Sequence, residues 1–522
     1  MTAILWRADR VVTAEDHDAD AFVTDGGRFV WVGRHGDADG SVAKQIDLRG
    51  TVVSPAFVDG HVHSTATGIA LDGLDLHDAT SVTDLLDRVA AFARSHPGVT
   101  IRGTGWDEST WPDRRAPTAT ELDAAGGGAV VYLARADVHS AVVSSALLAR
   151  CEFGDAEGVI GDGLLRLDAH HVARRIVNSE LSASETERAQ RRALAEAARL
   201  GIGLIHEMAG PEIAGLADLE SLLALRDAER TVDVAAYWGA LGDVSTPTRL
   251  GLVGAGGDLF CDGSIGSHTA ALHTPYADAD TTGTLRFDVA ELAAHIVATV
   301  RAGLQSGFHV IGDAAVDLVL DAYERALGQL DGAGQEALRR GRHRLEHVEM
   351  AGAEAVARMT SLGLTASVQP AFDATWGGPD LMYADRLGPD RGVSLNPYAA
   401  LHRAGVLLAL GSDSPVTAID PWGAVRSAVN HRTPESAIAP ATAFRAATTN
   451  GHRAVRVDDA GEIRAGQLAS FACWDASSAD PALWDAIVDE SAHGMPGDTP
   501  ACVRTVVRGR TAHDMVTVPS WT

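Results

Sequence analysis

The sequence predicts a mixed α/β protein: a (β/α)8 TIM-like barrel, a subdomain inserted after its first strand, and a small β-sandwich built from both termini. Three observations lead there. Between residues 52 and 450, eight apolar strand-like runs alternate with Ala-, Leu- and Arg-rich stretches of helical period. The gap between the first two runs is too long for one crossover helix. Short β-branched runs broken by Gly and Asp mark both ends of the chain.

The eight runs are residues 52–63, 201–207, 232–238, 258–262, 307–313, 343–349, 364–370 and 405–413, and eight is the number that closes a barrel. Residues 65–180 hold two more strand candidates, 99–106 and 129–139. They read as a subdomain over the barrel mouth, where such barrels carry their elaborations. The expected division is therefore a sandwich at 1–54 and 455–522, a barrel at 55–454, and an insertion at 65–180. No fixed-period repeat suggests a solenoid or propeller. The glycine runs 126–128 and 254–257 lack the context of a dinucleotide site and read as turns.

The 522 residues carry 43 Lys plus Arg against 70 Asp plus Glu, a net charge of −27 that repels nucleic acid and anionic lipid. Cys151, Cys261, Cys473 and Cys502 are widely spaced with no CxxC, pointing to buried thiols in a reducing compartment. The first residues acquire charge too early for a secretory signal, and no run reaches the roughly 18 apolar residues of a membrane span. The expectation is a cytoplasmic protein acting on a small molecule, without nucleic-acid or membrane partners. Monomer and homodimer both stay open.

Candidate chemistry begins at His61 and His63. Side chains two apart on a strand share a face, so His-Val-His at the end of an apolar run aims two imidazoles at one point. His309 falls in the fifth run, His347 in the sixth and Asp413 near the end of the eighth. Each sits where a barrel strand would deliver it to the same mouth, a register that packing alone explains poorly.

These segments resemble the amidohydrolase superfamily, and within it the family 3 group that includes N-substituted formamide deformylases. The similar motifs are SPAFVDGHVH (54–63), GTGWDES (103–109), RADVHSAVVSSALL (135–148), DGSIGSHTAAL (262–272), HVIGDAAVD (309–317), RHRLEHVEM (342–350), GSDSPV (411–416) and a tail from 448 to 475. The resemblance implies that His61, His63, His309 and His347 bind one or two divalent metals, zinc foremost. It also implies that Asp413 touches the metal and serves as general base and acid. Trp106, Arg135 and His139 from the insertion, with Asp262, Ser267 and His268 from the loop after the fourth strand, become candidate substrate contacts. Glu207 and Asp313 become candidate supports for ligand histidines, a helix cap being the other reading of Asp313.

One position departs from the family pattern. Many relatives bridge two metals with a carboxylated lysine in the fourth strand, where DLFCDG places Asp258. Lys44 is the only lysine and falls in the expected sandwich, so no carboxylated lysine is expected. An aspartate oxygen reaches roughly 3.5 Å from its Cα and a lysine carbamate about twice that, so a bridge from Asp258 is expected to fall short. The reading favours one tightly held metal with a weak or absent second, against Asp258 as a further direct or water-mediated ligand. Three functions compete: hydrolysis of a non-peptide amide such as an N-substituted formamide, mononuclear deamination of an aromatic ring, and an inactive barrel used for binding.

Overall fold

The computed structural model describes residues 3–515 apart from 41, 43 and 230. Residues 1, 2, 41, 43 and 516–522 of the expected sandwich, and residue 230 of the expected barrel, lie outside the described residues. The barrel strands are Phe57–Val62, Ile202–Ala209, Asp233–Trp238, Gly254–Ala255, Gln305–Val310, Arg344–His347, Thr365–Val368 and Leu407–Leu410, neighbours in that order. All their pairings are parallel. They are near-continuous apolar runs because helices cover one face and the barrel interior the other. The ring closes beyond the eighth strand. Asp413 N–H donates to His61 O (2.8 Å), His63 N–H donates to Ser414 O (3.0 Å), and Asp59 accepts from Ser412 N–H (2.8 Å).

The fourth strand departs from expectation. The strand is expected at residues 258–262, yet regular pairing covers only Gly254–Ala255, the first half of the expected turn. Pairing with the fifth strand runs from Ala255↔Ser306 to an isolated bridge at Phe260↔His309. Five steps on one strand thus match three on the other, a bulge of two residues. Gly256 (φ 118°) and Gly257 (φ 76°) form it, and a Cβ on the facing Gly307 would lie 2.4 Å from Gly257 N. Only glycines permit so close an approach.

Helices cover the barrel with apolar stripes. In Val289–Arg301 a capping box (Asp288, Glu291) starts the helix, and Leu292, Ile296 and Val300 recur every four residues on its buried face. The helix after the first strand, Ser64–Asp72, packs on Ala183–Arg199 so tightly that a Cβ at Gly68 would sit 1.8 Å from Ala189 O. That contact fixes the chain immediately after His63.

The insertion builds a six-stranded sheet from Leu74–Asp75, Ile101–Trp106, Val131–Arg135, Ser140–Val143, Val159–Gly161 and Leu164–Arg166, followed by helix Leu167–Ser179. All of it falls inside residues 65–180. It is tied to the barrel loops: Ser264 and Ser267 hydroxyls both donate to Asp137 at 2.8 Å, and Arg386 donates to Glu108 at 2.9 Å.

The terminal segments form one seven-stranded sheet, ordered Arg510–Asp514, Cys502–Val507, Phe471–Asp475, Lys44–Pro55, Ile4–Val11, Ala21–Asp25 and Arg28–Gly33. Phe471 and Phe29 stand four strands apart, roughly 19 Å in a flat sheet. Their ring centroids are 6.0 Å apart, so the sheet rolls over on an aromatic core with Trp6 and Phe22 inside it. A roll of this kind gives the two facing layers expected of a sandwich without a break in the hydrogen-bonded order. Lys44 is exposed at the start of its strand. Among the described residues no helix is long and apolar enough to cross a membrane.

Candidate metal centre

The C-terminal ends of four barrel strands and the bulged fourth segment bring four imidazoles and two carboxylates together. His61 and His63 end the first strand with rings 5.2 Å apart, His61 and His347 are also 5.2 Å apart, and His309 and His347 are 4.4 Å apart. Asp413 Oδ1 lies 3.3 Å from His61 Nε2 and 3.1 Å from His63 Nε2. Asp258 stands between the two histidine pairs. Its Oδ2 is 3.8 and 3.6 Å from His61 and His63, and its Oδ1 is 3.0 and 3.4 Å from His309 and His347. All six side chains are buried. Asp258, expected to fall short of a bridging position, thus faces both histidine pairs at 3.0–3.8 Å. It follows directly on the two-residue bulge, so the reach of this position is set by the backbone as well as by side-chain length.

Each histidine is oriented by an acceptor behind it. His61 Nδ1–H donates to Glu346 (2.9 Å), His63 Nδ1–H to Met208 O (2.9 Å) and His347 Nδ1–H to Gln369 Oε1 (2.8 Å), leaving Nε2 as the lone-pair nitrogen in all three. His309 is reversed: its Nε2–H reaches Gly263 O at 3.2 Å and Nδ1 faces Asp258. His61 Nε2, His347 Nε2 and Asp413 Oδ1 are buried without a hydrogen-bond partner. Unpaired buried polar atoms are costly, and these three belong to one cluster within ligand distance of a common point. The donor set of imidazole nitrogen and carboxylate oxygen fits a divalent cation.

Electrostatics agree. Burial opposes charge on His61, but Asp413, Asp258 and Glu346 outweigh it and hold the imidazole well above its ordinary pKa; His63 is raised in the same way, chiefly by Asp413. Burial would raise Asp413, yet His61, His63 and His347 keep it below the usual carboxylate range; Asp258 is likewise held low by His309, His347 and His61. Glu346 has its own counter-ion in Arg344 (2.8 Å). Asp258 and Asp413 are therefore held as carboxylates among the imidazoles, a place where a bound cation would take over the role of the histidine protons.

Two site residues occupy the left-handed region, His347 (φ 71°) and Asp413 (φ 54°), with β-branched Val348 (φ 55°) beside the first. Such backbone costs about 1–3 kcal/mol per residue and persists where surrounding structure enforces it. Here it has a geometric consequence. Strand alternation would put Glu346 and His347 on opposite faces, and the turn at His347 lets both serve the centre.

The remaining expected residues divide. His139 stands beside the centre, 5.1 Å from the His309 ring, and lines a small, partly open pocket with His171, Phe260, Asp262 and Arg286. Burial lowers the His139 pKa to about 3, so it is neutral. Asp262 accepts backbone N–H bonds from Ala271 (2.9 Å), Ile311 (3.1 Å) and Gly312 (2.8 Å), organising the loop around His309. Arg135 is consumed by Asp107, Glu108 and Asp137 at 2.6–3.0 Å. Trp106 donates to Leu133 O (2.9 Å) inside the subdomain core, and His268 pairs with Asp278 (2.9 Å). These three shape the mouth's surroundings and are not gathered around the centre. Glu207 accepts from Ser64 N–H (2.9 Å) and its hydroxyl, starting the helix after His63, while the His63 ring goes to Met208 O. Asp313 opens helix Asp313–Gln329 and accepts from His273 N–H (3.0 Å).

Residues the sequence reading passed over are Glu346, Arg344, Gln369 and the Met208 carbonyl. The first two carried a signal: Arg344 and Glu346, two apart in an apolar run, are buried charges of opposite sign on one strand face.

Comparison with known proteins follows the same lines. The amidohydrolase family model matches residues 44–513. The chain is 27% identical to Protein LONG AFTER FAR-RED 3 of Arabidopsis thaliana, over 88% of this chain and 86% of that one. It is 25% identical to the N-substituted formamide deformylase of Arthrobacter pascens, over 90% and 92%. A crystal structure of an uncharacterized metal-dependent hydrolase from Pyrococcus horikoshii OT3 superposes with a TM-score of 0.73 at 24% identity, covering 95% of this chain and 100% of the other. With a closed barrel, an imidazole–carboxylate centre at its mouth and a family match over nearly the whole chain, this protein belongs to the amidohydrolase family and is a metal-dependent hydrolase of carbon–nitrogen bonds.

Proposed function

We propose that the protein is a zinc-dependent hydrolase of a small non-peptide amide, an N-substituted formamide or a close relative. The observation that carries this reading is the meeting of His61, His63, His309, His347, Asp258 and Asp413 in three overlapping buried triads, with the ligand atoms of His61, His347 and Asp413 unpartnered. His61, His63 and Asp413 would hold one metal position and His309 with His347 a neighbouring one. Asp258, with one oxygen toward each pair, would link them in place of a carboxylated lysine. When bound, the metal polarises the substrate carbonyl and lowers the pKa of water toward neutrality.

The chain's own groups do the rest. Asp413, kept ionised by its imidazole neighbours, accepts the proton of the attacking water and returns it to the departing nitrogen, so that amide plus water become acid plus amine. Asp262 holds the loop that presents Gly263 O to His309. His139 and Phe260 flank the substrate as uncharged rings. In this reading residues 55–454 carry the chemistry, 65–180 cover the mouth, and 1–54 with 455–522 form a separate sheet domain. The four free cysteines support a reducing, cytoplasmic setting.

Metal analysis of protein purified without chelator, followed by a panel of formamides and aryl amides, tests the proposal. Zinc at one or two per chain with stoichiometric formate or other acid is expected. Ammonia released from an aromatic ring would replace this reading with deamination, and a metal-free protein releasing nothing would replace it with a binding role.

A further inference from the structure

Three ligand imidazoles are backed by three kinds of acceptor: a peptide carbonyl for His63, a neutral amide for His347, and a carboxylate for His61 alone. That carboxylate, Glu346, is fully buried and gripped by Arg344, whose Nε donates to Oε1 at 2.8 Å and whose Nη2 donates to Oε2 at 3.1 Å. Arg344 does more. Its Nη2 also donates to Gly60 O at 2.7 Å and to Ser367 Oγ at 2.9 Å, and Nη1 donates to His206 Nδ1 at 2.8 Å. One guanidinium therefore fixes both the carboxylate behind the His61 ring and the main chain one residue before it.

We propose that Arg344 and Glu346 are a positioning pair that sets the metal affinity of His61, an inference that rests on the metal centre proposed above. An ionised acceptor strengthens an imidazole as a ligand more than a neutral one, and loss of such support commonly costs 10–100-fold in affinity. Stability gives the pair little reason to exist. A buried ion pair is often replaceable by apolar side chains at no loss, whereas one aimed at a ligand has a task. The fork of Arg344 explains why the carboxylate cannot swing away: both oxygens are engaged, and the remaining guanidinium donors meet groups on the first, second and seventh barrel strands or the segments between them.

Zinc affinity measured by competition with a chromophoric chelator tests this. Glu346→Gln should bind zinc about 10–100-fold more weakly than wild type, with activity restored by excess zinc and KM unchanged. Glu346→Asp keeps a negative charge opposite Arg344 but draws it back from His61; it should fold even if the glutamine variant does not, and also lose zinc affinity. Gln369→Ala, which removes the neutral support of His347, should lose less. Unchanged zinc affinity in whichever Glu346 variant folds would overturn the pair's role while leaving the centre intact, whereas failure of wild type to bind zinc would overturn the centre itself.

Discussion

A cluster of four rings in the terminal sheet and another at the barrel mouth are held together in opposite ways. In the rolled terminal sheet Trp6, Phe22, Phe29 and Phe471 meet with centroids 4.9–6.0 Å apart. At the barrel mouth His61, His63, His309 and His347 meet at 4.4–5.2 Å. The first cluster is stable because it is dry: apolar area leaves water, and three of its ring pairs pack edge to face while Trp6 stacks on Phe22. The second has polar edges turned inward, and carboxylates stand between its rings. Equal burial and similar spacing therefore mean different things. Apolar rings are their own partners, whereas imidazoles need a charge among them.

The contrast breaks most sharply at Asp413. Asp413→Asn should lower kcat by about 10³–10⁴-fold while metal stays bound, since proton transfer is lost and most ligands remain; near-wild-type turnover would remove Asp413 from the mechanism. In the other cluster, Phe471→Ala should cost about 3–5 kcal/mol of unfolding free energy, with metal content and turnover of the folded fraction unchanged. Coincident loss of metal in that variant would mean the two clusters are not independent.

Metal removal sharpens the comparison further. Zinc at a hundred times its Kd should stabilise the fold by about 2.7 kcal/mol, seen as a shift in Tm on chelation. Because the carboxylates hold His61 and His63 above the ordinary imidazole pKa, protons compete with the ion, and the shift should shrink as pH falls. A shift independent of pH would argue against imidazole ligation. Asp258→Asn should reduce zinc content or affinity about tenfold; unchanged zinc would make Asp258 structural.

An effect visible only in the pH dependence of stability is expected at Glu207, buried beside the centre with its pKa pushed by burial from 4.5 to about 7. A raised carboxyl pKa favours folding fully below 4.5, and that contribution is lost as pH climbs through about 7. Glu207→Gln lacks this loss. It should match wild type near the acid end and become relatively more stable, by about 1–3 kcal/mol, above neutrality. Parallel stability profiles for the two proteins would contradict the assignment.

Most of the barrel was legible in the amino-acid order because apolar runs and helical stretches alternate there eight times, and a run's length and flanks mark its end. His61, His63, His309, His347 and Asp413 were legible for the same reason: each lies at or near the C-terminal end of a run, where strands of a parallel barrel converge. The insertion showed itself as a gap, and the rolled sheet as matching texture at the two ends. The directions of Trp106 and His268 were not legible, because a motif records which residues neighbour one another along the chain, not which way a side chain turns. Both are spent on local partners, Leu133 O and Asp278.

Local pattern thus accounts for the number of strands and for which ligand types come to the mouth, since periodicity and burial are properties of a few consecutive residues. Contacts between distant segments account for the rest. The two-residue bulge at Gly256–Gly257 brings Asp258 within reach, the left-handed turns at His347 and Asp413 aim them inward, and Glu346, Gln369 and Met208 select which imidazole nitrogen is free. These depend on how strands hundreds of positions apart lean against one another, and hydrogen-bond geometry across such a gap exists only once the barrel has closed.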